Sequence, residues 1–184
     1  MLAHNVSTLL KSTPGITRDV LIDEPDPRLG ADLRAVASVQ GSARLYRTQN
    51  AIFVVGDART DIEAECSRCL EPFALPVSVH FEEEFHPTVN IITGTPLEPT
   101  EDAALQIDEH HVLDLTEIVR QYLLMNLPIN PVCRPDCPGL CPTCGADLNQ
   151  GPCACPPEGV DARLAALASL LTLQERSAEG SNNR

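Results

Sequence analysis

The chain has no tryptophan, and Phe and Tyr together supply only 3% of its 184 residues. A core built from it must therefore be aliphatic, of Val, Leu, Ile and Ala. Lysine is nearly absent: Lys11 is alone, and the other basic residues are arginines. The formal net charge is −13. A generic phosphate-binding surface is basic, so the chain as a whole is not one, and any RNA contact must be local or run through a basic partner. The acidity is uneven. Residues 1–60 carry seven Arg/Lys against six Asp/Glu, whereas residues 61–184 carry six against twenty. No apolar run approaches the ~18–20 residues of a membrane span. Met1 to Leu10 shows neither a basic n-region nor an apolar h-region, and the expectation is a soluble, cytoplasmic protein. No G-x-S-x-G, Walker A or G-x-G-x-x-G element is present. The five histidines, His4, His80, His86, His110 and His111, occur without a motif coupling one to a Cys or Ser. His110-His111 reads as a solvated loop pair rather than a metal site. The expectation is a protein without catalytic activity or a small-molecule substrate.

Proline and cysteine are plentiful, at sixteen and eight. Six of the cysteines crowd one stretch, Cys133, Cys137, Cys141, Cys144, Cys153 and Cys155. This stretch is rich in Pro and Gly and poor in aromatic and β-branched residues. It cannot bury enough apolar surface to offset the entropy of ordering it, so a metal ion or disulfides must hold it. Cys141-Pro-Thr-Cys144-Gly145 is a tight turn that aims two sulfurs at one point, with Gly145 free to take a positive φ. A tetrahedral Zn²⁺ needs a second pair, either Cys153 with Cys155 or Cys133 with Cys137. The alternative is a disulfide knot, which a reducing compartment disfavours. The expected ligands are four of these six cysteines on a structural Zn²⁺.

Cys66-Ser-Arg-Cys69 is read separately. As a redox dithiol it would draw on Arg68 to favour a thiolate. A thioredoxin-like C-x-x-C, however, opens a helix beside parallel strands, and this one sits in a hairpin turn. A metal reading, in which Cys66 and Cys69 take two partners from the later cluster to make a second Cys₄ site, stands beside one in which the thiols only pack the turn.

Elsewhere the period is two. His4 to Leu10 reads as an edge strand and residues 16–22 as a second strand. Ala31 to Leu45 reads as one long half-buried strand, and Asn50 to Val55 as its partner. Residues 57–66 and Leu75 to Phe85 continue the alternation, with Glu83 taken as a bulge or strand exit rather than a functional buried carboxylate. Residues 87–111 read as a long polar loop, solvated or offered to a basic partner. Asp114-Leu-Thr-Glu117 resembles a capping box opening a helix over about 114–127, whose stripe is Leu115, Ile118, Val119, Tyr122, Leu123 and Leu127. A last helix is expected from Asp161 to Leu171. The predicted fold is α+β: a curved, barrel-like antiparallel sheet with one packed helix over residues 1–128, a Cys-rich zinc-binding appendage with a C-terminal helix over 129–174, and a polar tail over 175–184.

These elements reach a resemblance. Cys66-Ser-Arg-Cys69-Leu-Glu-Pro-Phe73, Asp114-Leu-Thr-Glu117, Leu124-Met-Asn-Leu-Pro128, Cys137-Pro-Gly-Leu-Cys141-Pro-Thr-Cys144-Gly-Ala-Asp-Leu-Asn149 with Cys153-Ala-Cys155, and Asp161-Ala-Arg163-Leu-Ala-Ala-Leu167 resemble the YceD family over about residues 60–171. Ala162 stands where that family often has Pro, which touches only a helix start. The resemblance implies a role in accumulation of large-subunit (23S) ribosomal RNA and in ribosome assembly, without catalysis. It also implies a partner that is large-subunit RNA or its precursor, or a basic large-subunit ribosomal protein. The candidates for direct phosphate contact are Arg18, Arg34, Arg44, Arg47 and Arg59, with ordinary strand-surface arginines as the alternative. The rival class is a metal-binding or thiol redox protein working through Cys66 and Cys69, and a third is an interaction domain whose partner lies outside the ribosome.

Overall fold

The computed structural model describes residues 2–25, 29–98 and 100–156. The helix expected over 161–171 and the polar tail lie outside these residues. Two compact units divide the chain, Met1–Gly139 and Leu140–Arg184, so Cys133 and Cys137 belong to the first.

The first unit is a seven-stranded sheet curled into a half-barrel around an aliphatic core, as its alternation requires. Its strands are β1 (Ala3–Asn5), β2 (Thr17–Glu24), β3 (Val39–Arg47), β4 (Ile52–Glu65), β5 (Pro72–Pro87), β6 (Gln106–Ile107) and β7 (Val112–Asp114). Their order is β1-β7-β6-β5-β4-β3-β2. All neighbours are antiparallel except β5 and β6. Curling brings the two outermost strands together: the Arg18 guanidinium on β2 donates to the Asn5 carbonyl on β1 at 2.9 Å. Gly56 permits close packing on the inner face, because a Cβ there would lie 2.5 Å from the Phe81 ring.

Helix α1 (Ser7–Leu10) follows β1, and helix α2 (Thr116–Met125) follows β7. Ile118, Val119 and Leu123 of α2 are buried in the core with Leu115, as the 3.6-residue stripe demands. The Asp114 carboxylate accepts from the Thr116 amide at 2.9 Å. Glu117 does not complete a capping box; it turns to Arg120, whose guanidinium also reaches Asp32 at 2.7 Å.

Several sequence expectations are corrected. The long strand over Ala31 to Leu45 is only Val39–Arg47. Upstream, the chain makes a single bridge, Ala35 to Ile62. Leu33 is nonetheless buried, so the alternation there records burial rather than a ladder. His4 to Leu10 is a three-residue strand followed by one helical turn, since Val6, Leu9 and Leu10 bury at helical spacing. Segments 50–55 and 57–66 are one strand, β4. Glu83 is neither bulge nor exit: pairing of β4 with β5 runs unbroken from Ile52–Phe85 to Glu65–Pro72. Its half-buried carboxylate accepts the Tyr122 hydroxyl at 3.0 Å. The stretch 87–111 is not an unstructured loop. It holds a 3₁₀ turn at Ala103–Leu105 and strand β6, whose Ile107 is buried.

The Arg120 and Gln121 side chains hydrogen-bond the Glu117 carboxylate and hold it down at about 2. A folded-state value below the ordinary 4.5 gives stability that is present above pH 4.5 and lost as pH falls toward 2. Glu117 is partly exposed, so solvent screening limits the gain to about 0.5–1 kcal/mol. The prediction is that Glu117→Gln lowers the urea midpoint at neutral pH, and that its difference from wild type shrinks steadily as pH drops below 4.5.

Candidate metal centre

β4 and β5 are the longest strands, and the turn that joins them is the first cysteine pair. Cys66 donates its amide to Glu71 O at 3.0 Å, and Leu70 donates its own to Cys66 O at 2.9 Å. The second pair repeats this pattern: Cys141 N–H to Ala146 O and Gly145 N–H to Cys141 O, both 2.8 Å. Each turn needs a left-handed residue after its second cysteine. Gly145 takes φ +73°, as its sequence position demands, while Leu70 takes φ +60° in the equivalent place. A leucine there carries a local cost of about 1–2 kcal/mol, which the surrounding knuckle must overcome.

The chain then returns to the β4–β5 turn. Ser67 donates both its amide and its hydroxyl to Pro131 O, at 2.8 and 2.9 Å. Arg68 donates to Pro135 O and Cys137 O at 3.2 and 2.9 Å. Gly139, at φ +77°, lies so close to Arg68 that a Cβ would come 2.8 Å from its carbonyl oxygen. These contacts carry Cys133 and Cys137 to Cys66 and Cys69. In the second unit, Leu140 bridges to Asp147. The Asp147 carboxylate accepts the Asn149 amide at 2.9 Å, and Cys153 and Cys155 come round to Cys141 and Cys144.

The result is two tetrads, Cys66/Cys69/Cys133/Cys137 and Cys141/Cys144/Cys153/Cys155, with the sulfurs of each within 4.8 Å of one another. Of the two alternatives for the pair beside Cys141 and Cys144, the structure places Cys153 with Cys155 there. Cys153 with Cys155 completes one site, while Cys133 with Cys137 completes the other around Cys66 and Cys69. The Cys66–Cys137 and Cys69–Cys133 separations are 3.9 and 3.8 Å, and Cys141–Cys153 is 3.4 Å. A disulfide needs about 2.05 Å. Four thiolates at a metal–sulfur distance of about 2.3 Å stand about 3.8 Å apart. The residues therefore fit a four-coordinate ion at both points.

Protonation shows the same crowding. Amide donation from Cys133, then from Cys69 and Arg68, pulls the Cys66 thiol down to about 6. Amides of Cys144 and Thr143 do the same for Cys141, also to about 6. Burial and the neighbouring thiols push Cys133 up to about 12, and the Cys144 thiol with burial does so for Cys155. Each tetrad thus readies one thiolate and resists further negative charge, until a cation compensates it.

The five candidate arginines are dispersed. Arg18 is bound to Asn5 O; Arg34 pairs with Glu63 at 3.0 Å; Arg44 forks onto Asp19 at 2.6 and 3.2 Å. Arg47 donates to the carbonyls of Leu10 and Ala51. The Arg59 side chain, on the paired backbone of β4, makes no hydrogen bond or ion pair among the described residues. His4 and His111 each bury a ring nitrogen without a partner, a feature that sequence spacing did not signal.

Sheet and tetrads together define a class: a curled β-sheet protein with two tetra-thiolate knuckles that fit metal ions. The chain belongs to the YceD family. The family profile described as large ribosomal RNA subunit accumulation protein YceD matches residues 54–171, a span that includes all eight cysteines. An uncharacterized protein of Mycobacterium tuberculosis is 33% identical over 147 residues, covering 78% of this chain and 69% of that protein. The large ribosomal RNA subunit accumulation protein YCED homolog 1, chloroplastic, of Zea mays is 28% identical over 145 residues, covering 65% and 49%. Its Arabidopsis thaliana namesake is 26% identical over 206 residues, covering 99% and 61%. No solved structure matches significantly.

The tetrads differ in cover. Cys66, Cys69 and Cys137 are buried beside Phe73 and Val132, whereas in the second tetrad only Cys141 is buried. Chelator challenge of the metal-loaded protein is predicted to release metal in two phases. Cys144→Ser should abolish the fast phase alone, and Cys66→Ser the slow one. Equal rates at both sites would contradict this ranking.

Proposed function

We propose that the protein is a non-enzymatic factor for the accumulation of large-subunit ribosomal RNA. It acts in ribosome assembly by binding that RNA or its precursor, or a basic large-subunit ribosomal protein, and two structural Zn²⁺ ions hold its fold. The observation that carries this reading is the coincidence of the family match with the structure: residues 54–171 begin in β4 and run through both tetrads. Two plant relatives carry the matching name.

Zinc is the ion that a four-thiolate, tetrahedral set suits best in a reducing compartment such as the bacterial cytoplasm. Four protein ligands leave no open position for a catalytic water, which supports a structural role. Among the described residues no helix is long and apolar enough to cross a membrane. For direct RNA contact, Arg59 is the candidate with its guanidinium uncommitted, and the other four would have to exchange existing bonds for phosphate. The thiol-redox alternative calls for an accessible thiolate; Cys66 is fully buried, which favours the metal reading.

Gradient fractionation of cells at low magnesium tests the proposal. The protein is expected to sediment with large-subunit precursors, and its depletion to lower large-subunit RNA relative to small-subunit RNA. A protein that stays at the top of the gradient, with RNA ratios unchanged, would overturn it.

A further inference from the structure

The outward face of β2–β5 is ordered by the same register that fills the core. Thr17, Tyr46, Phe53 and Glu84 form one row across the strands; Asp19, Arg44, Val55 and Glu82 form the next; Leu21, Ser42, Asp57 and His80 form a third. The chain has six aromatic residues. Phe73, Phe81, Phe85 and Tyr122 pack inward, but Tyr46 and Phe53 face out, half-buried, with ring centroids 6.3 Å apart. Leu21, on the outermost strand, is 79% exposed. A shallow groove of about 440 Å³ runs between Leu21, Arg44, Tyr46, Val55 and Asp57.

The rim of this apolar strip is net negative, although Arg59 stands one row beyond Asp57 on the same face. Arg44 is neutralised by its fork onto Asp19. Asp57 and Glu82 hold His80 between them at 2.9 and 3.3 Å, and among the described residues the Glu84 carboxylate takes only the Thr48 hydroxyl and a distant His86 contact. Phosphate is repelled from such a rim, whereas cations are drawn both to the carboxylates and to the ring faces. The chain's own residues 157–184 carry three arginines against four carboxylates and are not net cationic.

We propose that this face docks an extended, arginine- or lysine-rich segment of a basic protein. Its cations lie between the Tyr46–Phe53 rings and the carboxylates of Asp57, Glu82 and Glu84, and its apolar side chains lie against Leu21 and Val55. The assignment deepens the preceding reading, and it rests on that reading only for the partner's ribosomal origin.

The test is amide chemical-shift mapping on the full-length, metal-loaded protein, with nona-arginine as one probe and an oligouridylate of the same length as the other. Nona-arginine is expected to shift the amides of Tyr46, Phe53, Val55 and Glu82. The double variant Glu82→Gln/Glu84→Gln, and separately Phe53→Ala, should weaken its binding about tenfold, as loss of clustered charge or a cation–π platform does. The off-face control Glu98→Gln/Glu101→Gln should leave binding unchanged. Metal content and the dispersed spectrum verify that each variant folds. Equal weakening by the control pair, shifts mapping elsewhere or onto residues 157–184, or oligouridylate binding at these amides would overturn the proposal. None of those results alters sedimentation with large-subunit precursors, so the two failures are distinguishable.

Discussion

Eight thiols gathered around two points are the constraint on which the rest of the molecule depends. The stretch from Pro128 to Cys155 has too little apolar surface to order itself, and under the proposed reading a cation at each tetrad does what a core would otherwise do. The first tetrad has the longer reach: its sulfur pairs join residues 71 and 64 positions apart. Closing loops of that length removes much freedom from the unfolded chain. The second tetrad closes within fifteen residues, from Cys141 to Cys155, and organises only its own turn.

The β4–β5 hairpin connects this constraint to the rest of the first unit. One end of it is the Cys66–Cys69 knuckle. Near the other, Glu83 receives the Tyr122 hydroxyl and ties α2 to the sheet. Between them, the inner rows fill the core with Val54, Ala58, Val79 and Phe81, and the outer rows carry the Tyr46–Phe53 pair and its carboxylates. A single register therefore sets core, first cysteine pair and outer surface together, and a one-residue slip would exchange the two faces and misplace both cysteines.

Much of this was legible in the residues, for physical reasons. Alternation identified β3, β4 and β5, and the helical stripe identified α2, because burial periodicity is a local property. The Cys141-x-x-Cys144-Gly145 turn announced its geometry through its glycine. The corresponding Leu70 turn did not, since a leucine at φ +60° is held there by the knuckle rather than chosen by propensity. Which cysteine pairs share a tetrad was also hidden. Spacing brings Cys66 to Cys69 and Cys141 to Cys144, but the assignment of Cys133 and Cys137 depends on how Ser67 and Arg68 capture the carbonyls of residues 131, 135 and 137. Glu83 was misread because its partner, Tyr122, lies 39 residues away. The Ala31–Ser38 stretch alternates with no ladder beyond the Ala35–Ile62 bridge, because Leu33 reaches the core from an irregular segment.

The most direct test of the account is native mass spectrometry of the freshly purified protein under reducing conditions, with metal identified by elemental analysis. The account predicts two zinc ions per chain, one of them lost in Cys137→Ser and the other in Cys153→Ser. A folded chain that carries no metal, with its cysteines paired as disulfides, would contradict it.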